Sequence, residues 1–165
     1  MFLDSSSLGA NRVVSNLPMV SQHFGGAELT ANQFGYKLDY VPPGVLERQR
    51  ILAEELLEPF SKLLKGDLKV RNWYANPVLN SLLGRPSDSP FLNGEAIDLF
   101  VQKTPLRLAF EKLVRSKLDF DTATLNDYNE TITVIYRSGD RRDLLPHRRL
   151  TYRRLRVGFE LQPYR

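Results

Sequence analysis

Two histidines, His23 and His147, and no cysteine are what the 165 residues offer to metal or nucleophile chemistry. Without cysteine there is no thiol nucleophile, no thiolate zinc cage and no disulfide framework. With two histidines, a mechanism built on a histidine cluster has too few members. His147 stands in Pro146-His147-Arg148-Arg149, where two permanent cations oppose a bound dication. A serine triad would have to draw on one of the same two histidines, and no nucleophile elbow occurs. Gly25-Gly26 is too short for a phosphate loop, and neither a Walker lysine nor a dinucleotide fingerprint is present. The carboxylates Asp119 and Asp121, or Asp127 and Glu130, are neighbours in sequence but show nothing that would part the pKa values of an acid and a base.

Arginine is the other group with chemistry to offer. From Arg137 to Arg165 nine arginines stand against Asp140, Asp143 and Glu160, a net +6, so the other 136 residues of a +4 chain carry about -2. Guanidinium forks suit carboxylates, phosphates and protein interfaces. Arg141, Arg142, Arg148, Arg149, Arg153, Arg154 and Arg156 are therefore expected to form an attachment surface, for a protein neighbour first and nucleic acid second. The interleaved Leu144, Leu145, Leu150, Tyr152, Leu155, Val157, Phe159 and Leu161 argue against a purely disordered basic arm.

At 165 residues and 42% hydrophobic, the chain suits one globular domain with appendages. No run approaches the roughly 18 apolar residues of a membrane helix. Met1 to Ser7 lack the basic start and apolar stretch of a secretory signal, so export by that route is not expected. Residues 1–22 read as an N-terminal arm, with ordered structure beginning at His23-Phe24. After Pro42-Pro43-Gly44, the spacing of Leu52, Leu56, Phe60 and Leu63 predicts an amphipathic helix ending near Lys65-Gly66, kinked or divided at Pro59. Leu68 to Trp73 alternates as a half-buried strand, and the Asn-, Pro-, Ser- and Gly-rich stretch to Asn93 reads as loop. Ala96 to Val101 reads as a strand or buried segment. Thr104-Pro105 caps a second helix through Val114, with proline in its first turn. Phe120 to Leu125 and Thr131 to Tyr136 complete the strands. This order predicts an α+β fold: a small, largely antiparallel sheet with helices packed on it. The expected divisions are an arm, 1–22, a domain, 23–140, and a basic extension, 141–165.

The stretch from Asn72 to Asp98 carries a more specific pattern. Tyr74, Asn76 (at the second Ser), Asn80, Gly84, Ser89, Gly94, Ala96 and Asp98 fall in register without a gap on the pattern Ser-Gly-Tyr-Arg-Ser-x-x-x-Asn leading to Ser-x-His-x-x-Gly-x-Ala-x-Asp. The chain here resembles the zinc-dependent D-alanyl-D-alanine carboxypeptidases and endopeptidases that include many bacteriophage endolysins. His23-Phe24 and Glu28-Leu29 look like that family's opening segment, and Glu130 to Val134 looks like its Glu-x-Trp-His strand. The resemblance spans residues 23 to 140 and implies a DD-peptidase-like fold.

The departures fall where the family's chemistry resides. Phe91 replaces the first zinc-binding histidine, Thr133 replaces the second, and Ala75 replaces the arginine that polarises the substrate carbonyl. Asp98 remains at a ligand position and Glu130 at the general-base position. A catalytic zinc needs three protein ligands and an open position for water, and one aspartate cannot supply them. The resemblance therefore implies no enzyme activity, no metal and no cofactor. Without a metal, Asp98 is expected to bond loop amides or pair with an arginine, and Phe91 to fill the former metal cavity. The family's frequent occurrence in phage genomes implies a virion setting: tail, baseplate, neck or capsid-associated, assembled in the host cytoplasm, with other virion proteins or further copies of the chain as partners. A residual peptidoglycan-binding cleft, and a peptidoglycan hydrolase with a rearranged site, are the alternatives.

Overall fold

The structure, a computed structural model, describes residues 16–138, 148–156, 158 and 160–165. Six strands, β1 (Lys69–Asn72), β2 (Ala96–Phe100), β3 (Thr122–Asn126), β4 (Thr131–Ile135), β5 (Leu150–Arg154) and β6 (Leu161–Pro163), form one open sheet in the order β1-β2-β4-β3-β5-β6. All neighbours run antiparallel except β3 and β5. The fold is α+β.

Because side chains alternate along a strand, the register divides the sheet into two unlike faces. Ile97, Leu99, Ile132, Val134, Ala123 and Leu125 lie on one face and are at most 1% exposed. The other face carries a row of partners running across five strands: Asn72 beside Asp98, then Thr133, Thr124 and Tyr152.

The apolar face is covered by helices. α1 runs through Pro43–Leu52, a wider π turn at Ala53–Leu57, and Glu58–Leu63. Pro59 has no N–H to return to the preceding turn, and the amide of Glu58 bonds the Ala53 carbonyl five residues back. The expected division at Pro59 thus takes the form of a widened turn. That wider turn keeps every fourth residue in line, so Leu52, Leu56, Phe60 and Leu64 enter the core, while Leu63 is 42% exposed. The helix closes at Lys65-Gly66, where both residues take positive φ and the Gly66 amide reaches the Ser61 carbonyl. α2 (Pro77–Leu82) is a short helix inside the stretch expected to be loop, capped by the Asn76 side chain on the Leu79 amide. α3 (Leu106–Arg115) buries Ala109, Phe110 and Leu113. Its proline precedes the first turn rather than lying in it, and Thr104 is not its side-chain cap. Asp67 instead gathers the approach to α3, accepting from the amides of Gln102, Lys103 and Thr104.

The sheet extends past the boundaries expected from the sequence. β5 and β6 come from residues 141–165, so the basic extension contributes two strands to the sheet. At the other end, Val20 is 7% exposed in the core and Met19 bridges Gly25, ahead of the expected start at residue 23. Among the described residues no helix is long and apolar enough to cross a membrane.

Gly94 shows how tightly α1 meets the site loop. It sits at φ 72°, and a Cβ there would meet Val45 Cγ1 and Gln49 Cγ at 2.9 Å and the Val45 carbonyl oxygen at 3.0 Å. Gly94→Ala adds backbone strain to this overlap and is expected to cost about 2 kcal/mol. A loss of unfolding free energy in urea below about 0.5 kcal/mol would show that the loop gives way. Gly84, at φ 69°, has nothing within 4 Å of such a Cβ and needs glycine for conformation alone.

Candidate functional site

The polar face of the sheet forms the floor of a cleft of about 800 Å³. The residues aligned with zinc ligands in the family resemblance, Phe91, Asp98 and Thr133, all line it. They arrive from a 3₁₀ turn (Pro90–Asn93), from β2 and from β4. The strand register itself sets Asp98 opposite Thr133.

Asp98 is 8% exposed and its carboxylate is fully engaged. Oδ1 accepts from the Thr133 hydroxyl at 2.5 Å. Oδ2 accepts from Asn72 Nδ2 at 2.8 Å and from Arg85 Nη2 at 3.4 Å. The network continues from Thr133 through Asn126 to Thr131 and Asn129. Burial raises the Asp98 pKa above its ordinary 3.8, and the Thr133 hydroxyl, Arg85 and Asn72 oppose that only in part. Arg85 is pushed the other way, its pKa lowered mainly by burial and only partly supported by Asp98.

Arg85 lies with its guanidinium 3.5 Å from the centre of the Phe91 ring. Phe91 is 7% exposed, so an aromatic face and a cation occupy the surroundings of Asp98. Sequence reading did not single out Arg85. The signal for it is its position directly after Gly84, in the loop leading to the Ser89-to-Asp98 segment. Of the two readings of a metal-free Asp98, the arginine pair is the one observed.

The other residues of the matched pattern build the scaffold of this loop. Asn76 caps α2, Asn80 Nδ2 donates to the Pro86 carbonyl, and the Arg85 amide returns to the Asn80 carbonyl. The Ser89 hydroxyl accepts from the Phe91 amide, and the Ala75 amide bonds the Phe91 carbonyl. Ala75 is 1% exposed and contributes no polar group to the cleft. Tyr74 and Trp73 are buried packing residues.

Glu130 does not join Asp98. It sits at φ 56° in the turn between β3 and β4, with its side chain 79% exposed and Arg156 at 4.0 Å. His23 lies outside this cleft as well, its Nδ1 2.8 Å from Glu58 Oε2, with Ser21 donating to the same carboxylate. Asp121 accepts from the Arg137 amide and Asp127 pairs with Arg153, so both hold local structure. Among the described residues no group of three or more His, Asp or Glu side chains stands where it could hold a metal ion.

The arginines expected to form one attachment surface separate into different roles. Arg149 is turned inward, donating to the carbonyls of Leu118, Ser116 and Val114. Arg153 is taken by Asp127, and Arg154 lines the cleft. Arg148 is exposed and Arg156 lies at the surface near Glu130. Arg141, Arg142 and His147 lie outside the described residues. No protein-family model matches the chain, and no curated protein matches it either.

Proposed function

We propose that the chain is a non-catalytic structural or assembly protein of a bacteriophage virion, built on an inactivated zinc-peptidase fold of the DD-peptidase type. The observation that carries this reading is the meeting of Phe91, Asp98 and Thr133 in one cleft. These are the positions that hold zinc in the family the sequence resembles. In this chain the cation beside Asp98 is Arg85, supplied by the protein itself, and one imidazole position is a benzyl ring under that guanidinium. Such a centre can orient loops but has no open coordination position to activate water. Glu130, at the position of the general base, faces solvent.

The setting is a tail, baseplate, neck or capsid-associated site, assembled in the host cytoplasm, with other virion proteins or further copies of the chain as partners. Arg148 and Arg156, together with Arg141 and Arg142, are the cations proposed for docking. A second reading, a peptidoglycan-binding module, is favoured by one observation: a cleft of about 800 Å³ lies over the polar face.

Purified protein incubated with bacterial cell walls and zinc is expected to release no stem-peptide fragments. Release that disappears in Asp98→Ala would overturn the non-catalytic reading. Retention on walls at moderate salt would favour the second reading over the first. For the setting, neighbouring portal, tail or capsid genes are expected, whereas an adjacent holin gene would point back to an endolysin.

A further inference from the structure

We propose that the outer edge of β1 is a docking site for an extended, acidic segment of a partner protein, which joins the sheet there as a further strand. The proposal concerns a different face from the cleft and holds whatever the cleft does and whether or not the setting is a virion.

β1 ends the sheet, with β2 as its one strand neighbour. Its far side is covered only where the strand finishes. There the amides of Tyr74 and Trp73 reach the carbonyls of Leu29 and Ala31, and the Gln33 amide reaches Asn72 Oδ1. The chain then turns away. Among the described residues, no main-chain partner meets Lys69, Val70 or Arg71 on that side, and Lys69 and Arg71 are exposed. Open amides and carbonyls along an edge strand are a template for another extended chain. The space beside the edge is a groove of about 700 Å³, lined by Val70, Arg71 and Phe100 from the sheet and by Tyr36 and Leu38 from the loop that leaves it. Asn32 holds that loop in shape: Oδ1 accepts from the amides of Phe34 and Tyr36, and Nδ2 donates to the carbonyls of Thr30 and Tyr36. The Thr30 hydroxyl adds a bond to the Leu38 carbonyl. Docking therefore requires little further ordering of this wall.

Charge selects the occupant. A second copy of the chain fits poorly, because two-fold antiparallel pairing centred on Val70 would set each Lys69 opposite an Arg71, and like charges directly opposite destabilise a strand pair. The Arg71 guanidinium lies 4.7 Å from the centre of the Phe100 ring and has no ion-pair partner among the described residues. Carboxylates opposite Lys69 and Arg71 reverse the sign of both contacts, and an apolar residue between them stands opposite Val70. The occupant that fits is thus an extended segment with acidic residues two apart around an apolar one. Main-chain bonds to the edge supply its affinity, and the two cations supply its selectivity.

The test is titration of the whole chain with two capped peptides, Thr-Glu-Val-Glu-Thr and Thr-Lys-Val-Lys-Thr, at low salt, following the backbone amide signals and amide exchange of Lys69, Val70 and Arg71. The acidic peptide is expected to shift these signals to saturation, to slow exchange along the edge, and to bind about tenfold more tightly than the lysine peptide. Arg71→Glu turns one attraction into a repulsion and is expected to weaken the acidic peptide about tenfold, removing the preference. If Arg71→Glu does not fold, Arg71→Gln carries the test, with the preference reduced about threefold. Equal affinity for the two peptides, binding that leaves the signals of residues 69–71 unmoved, or an unchanged preference in the folded variant would overturn the proposal. So would slow exchange at residues 69–71 before any peptide is added: in a monomer it would mean that the chain covers its own edge, and in a dimer that a second copy does. Cell-wall binding and cleavage are read by separate assays and bear on the cleft alone.

Discussion

Asp98→Ala lowers the free energy of unfolding by about 4 kcal/mol, the cost of removing one member of a buried ion pair. The variant leaves Arg85, whose side chain is 15% exposed, without an anion, and leaves Thr133 and Asn72 without their acceptor. Each of those donors then carries its own desolvation penalty. Urea unfolding measures the loss, and a change below about 1 kcal/mol would mean that water satisfies the site once the carboxylate is gone. Removing both charges separates the pair from the packing: Asp98→Ala with Arg85→Met is expected to lose less than Asp98→Ala alone, because no uncompensated cation remains.

The pH dependence has a definite sign. Burial raises the folded-state pKa of Asp98 above its ordinary 3.8, so the folded protein binds that proton more tightly than the unfolded chain does. The stability contributed is complete below the unfolded value and is lost as pH rises through the folded one. Asp67 acts in the opposite sense. Its amide hydrogen bonds from Gln102, Thr104 and Lys103 hold it far below the usual carboxylate range, and its contribution is lost as pH falls. Glu58 acts the same way as Asp67: burial pushes it up, but hydrogen bonds from His23 and Ser21 prevail and lower it. Comparing the wild type with Asp98→Asn cancels those shared terms. The wild type should lose stability relative to the variant as pH climbs above 3.8. A difference independent of pH would contradict the burial argument.

The centre of the molecule was legible where local pattern and register speak together. β-branched Thr131 to Ile135 and the buried run from Ala96 gave β4 and β2, and their pairing brings Thr133 to Asp98. Glu130 was harder to place, because a turn interrupts the strand before it. Three residues is also an odd spacing, which would set Glu130 and Thr133 on opposite faces of a regular strand. α2 had a signal that composition obscured: Asn76 followed by Pro77 is a helix cap with proline at the first position. The polar, proline-bearing surroundings read as loop instead.

β5 was the least legible strand. It pairs in parallel with β3, more than twenty residues away, and a parallel pair leaves no hairpin turn to read. Its arginines also imitate a solvated tail. Two neighbouring arginines in a strand face opposite ways, so Arg153 meets Asp127 while Arg154 meets the cleft. A single count of positive charge therefore merged a structural cation, a cleft cation and surface cations into one apparent surface.

Arg149→Ala tests that division with the second large effect, a loss of about 3 kcal/mol, built from charge-assisted hydrogen bonds discounted for partial exposure. Arg149 Nε donates to the Leu118 carbonyl at 3.0 Å, and Nη2 donates to Ser116 at 3.0 Å and Val114 at 3.4 Å. Its guanidinium lies 4.8 Å from the centre of the Phe120 ring. The side chain thus closes the C-terminal end of α3, where carbonyls lack helical partners and the helix dipole favours a cation. Its own amide bonds the Phe120 carbonyl, and the next amide bonds Asp121, so the same residue starts β5 against β3. Losing the guanidinium loosens the helix end and the strand entry together. Arg149→Lys is expected to recover little, since one ammonium cannot span carbonyls that a planar fork reaches from two sides. Arg148→Ala, one residue earlier and exposed, should stay within about 0.5 kcal/mol of wild type. Urea midpoints for the three variants decide the matter. Equal, small shifts at both positions would return Arg149 to the attachment surface. The expected contrast instead places it in the framework that holds β5, and with it Arg154, in position over the cleft.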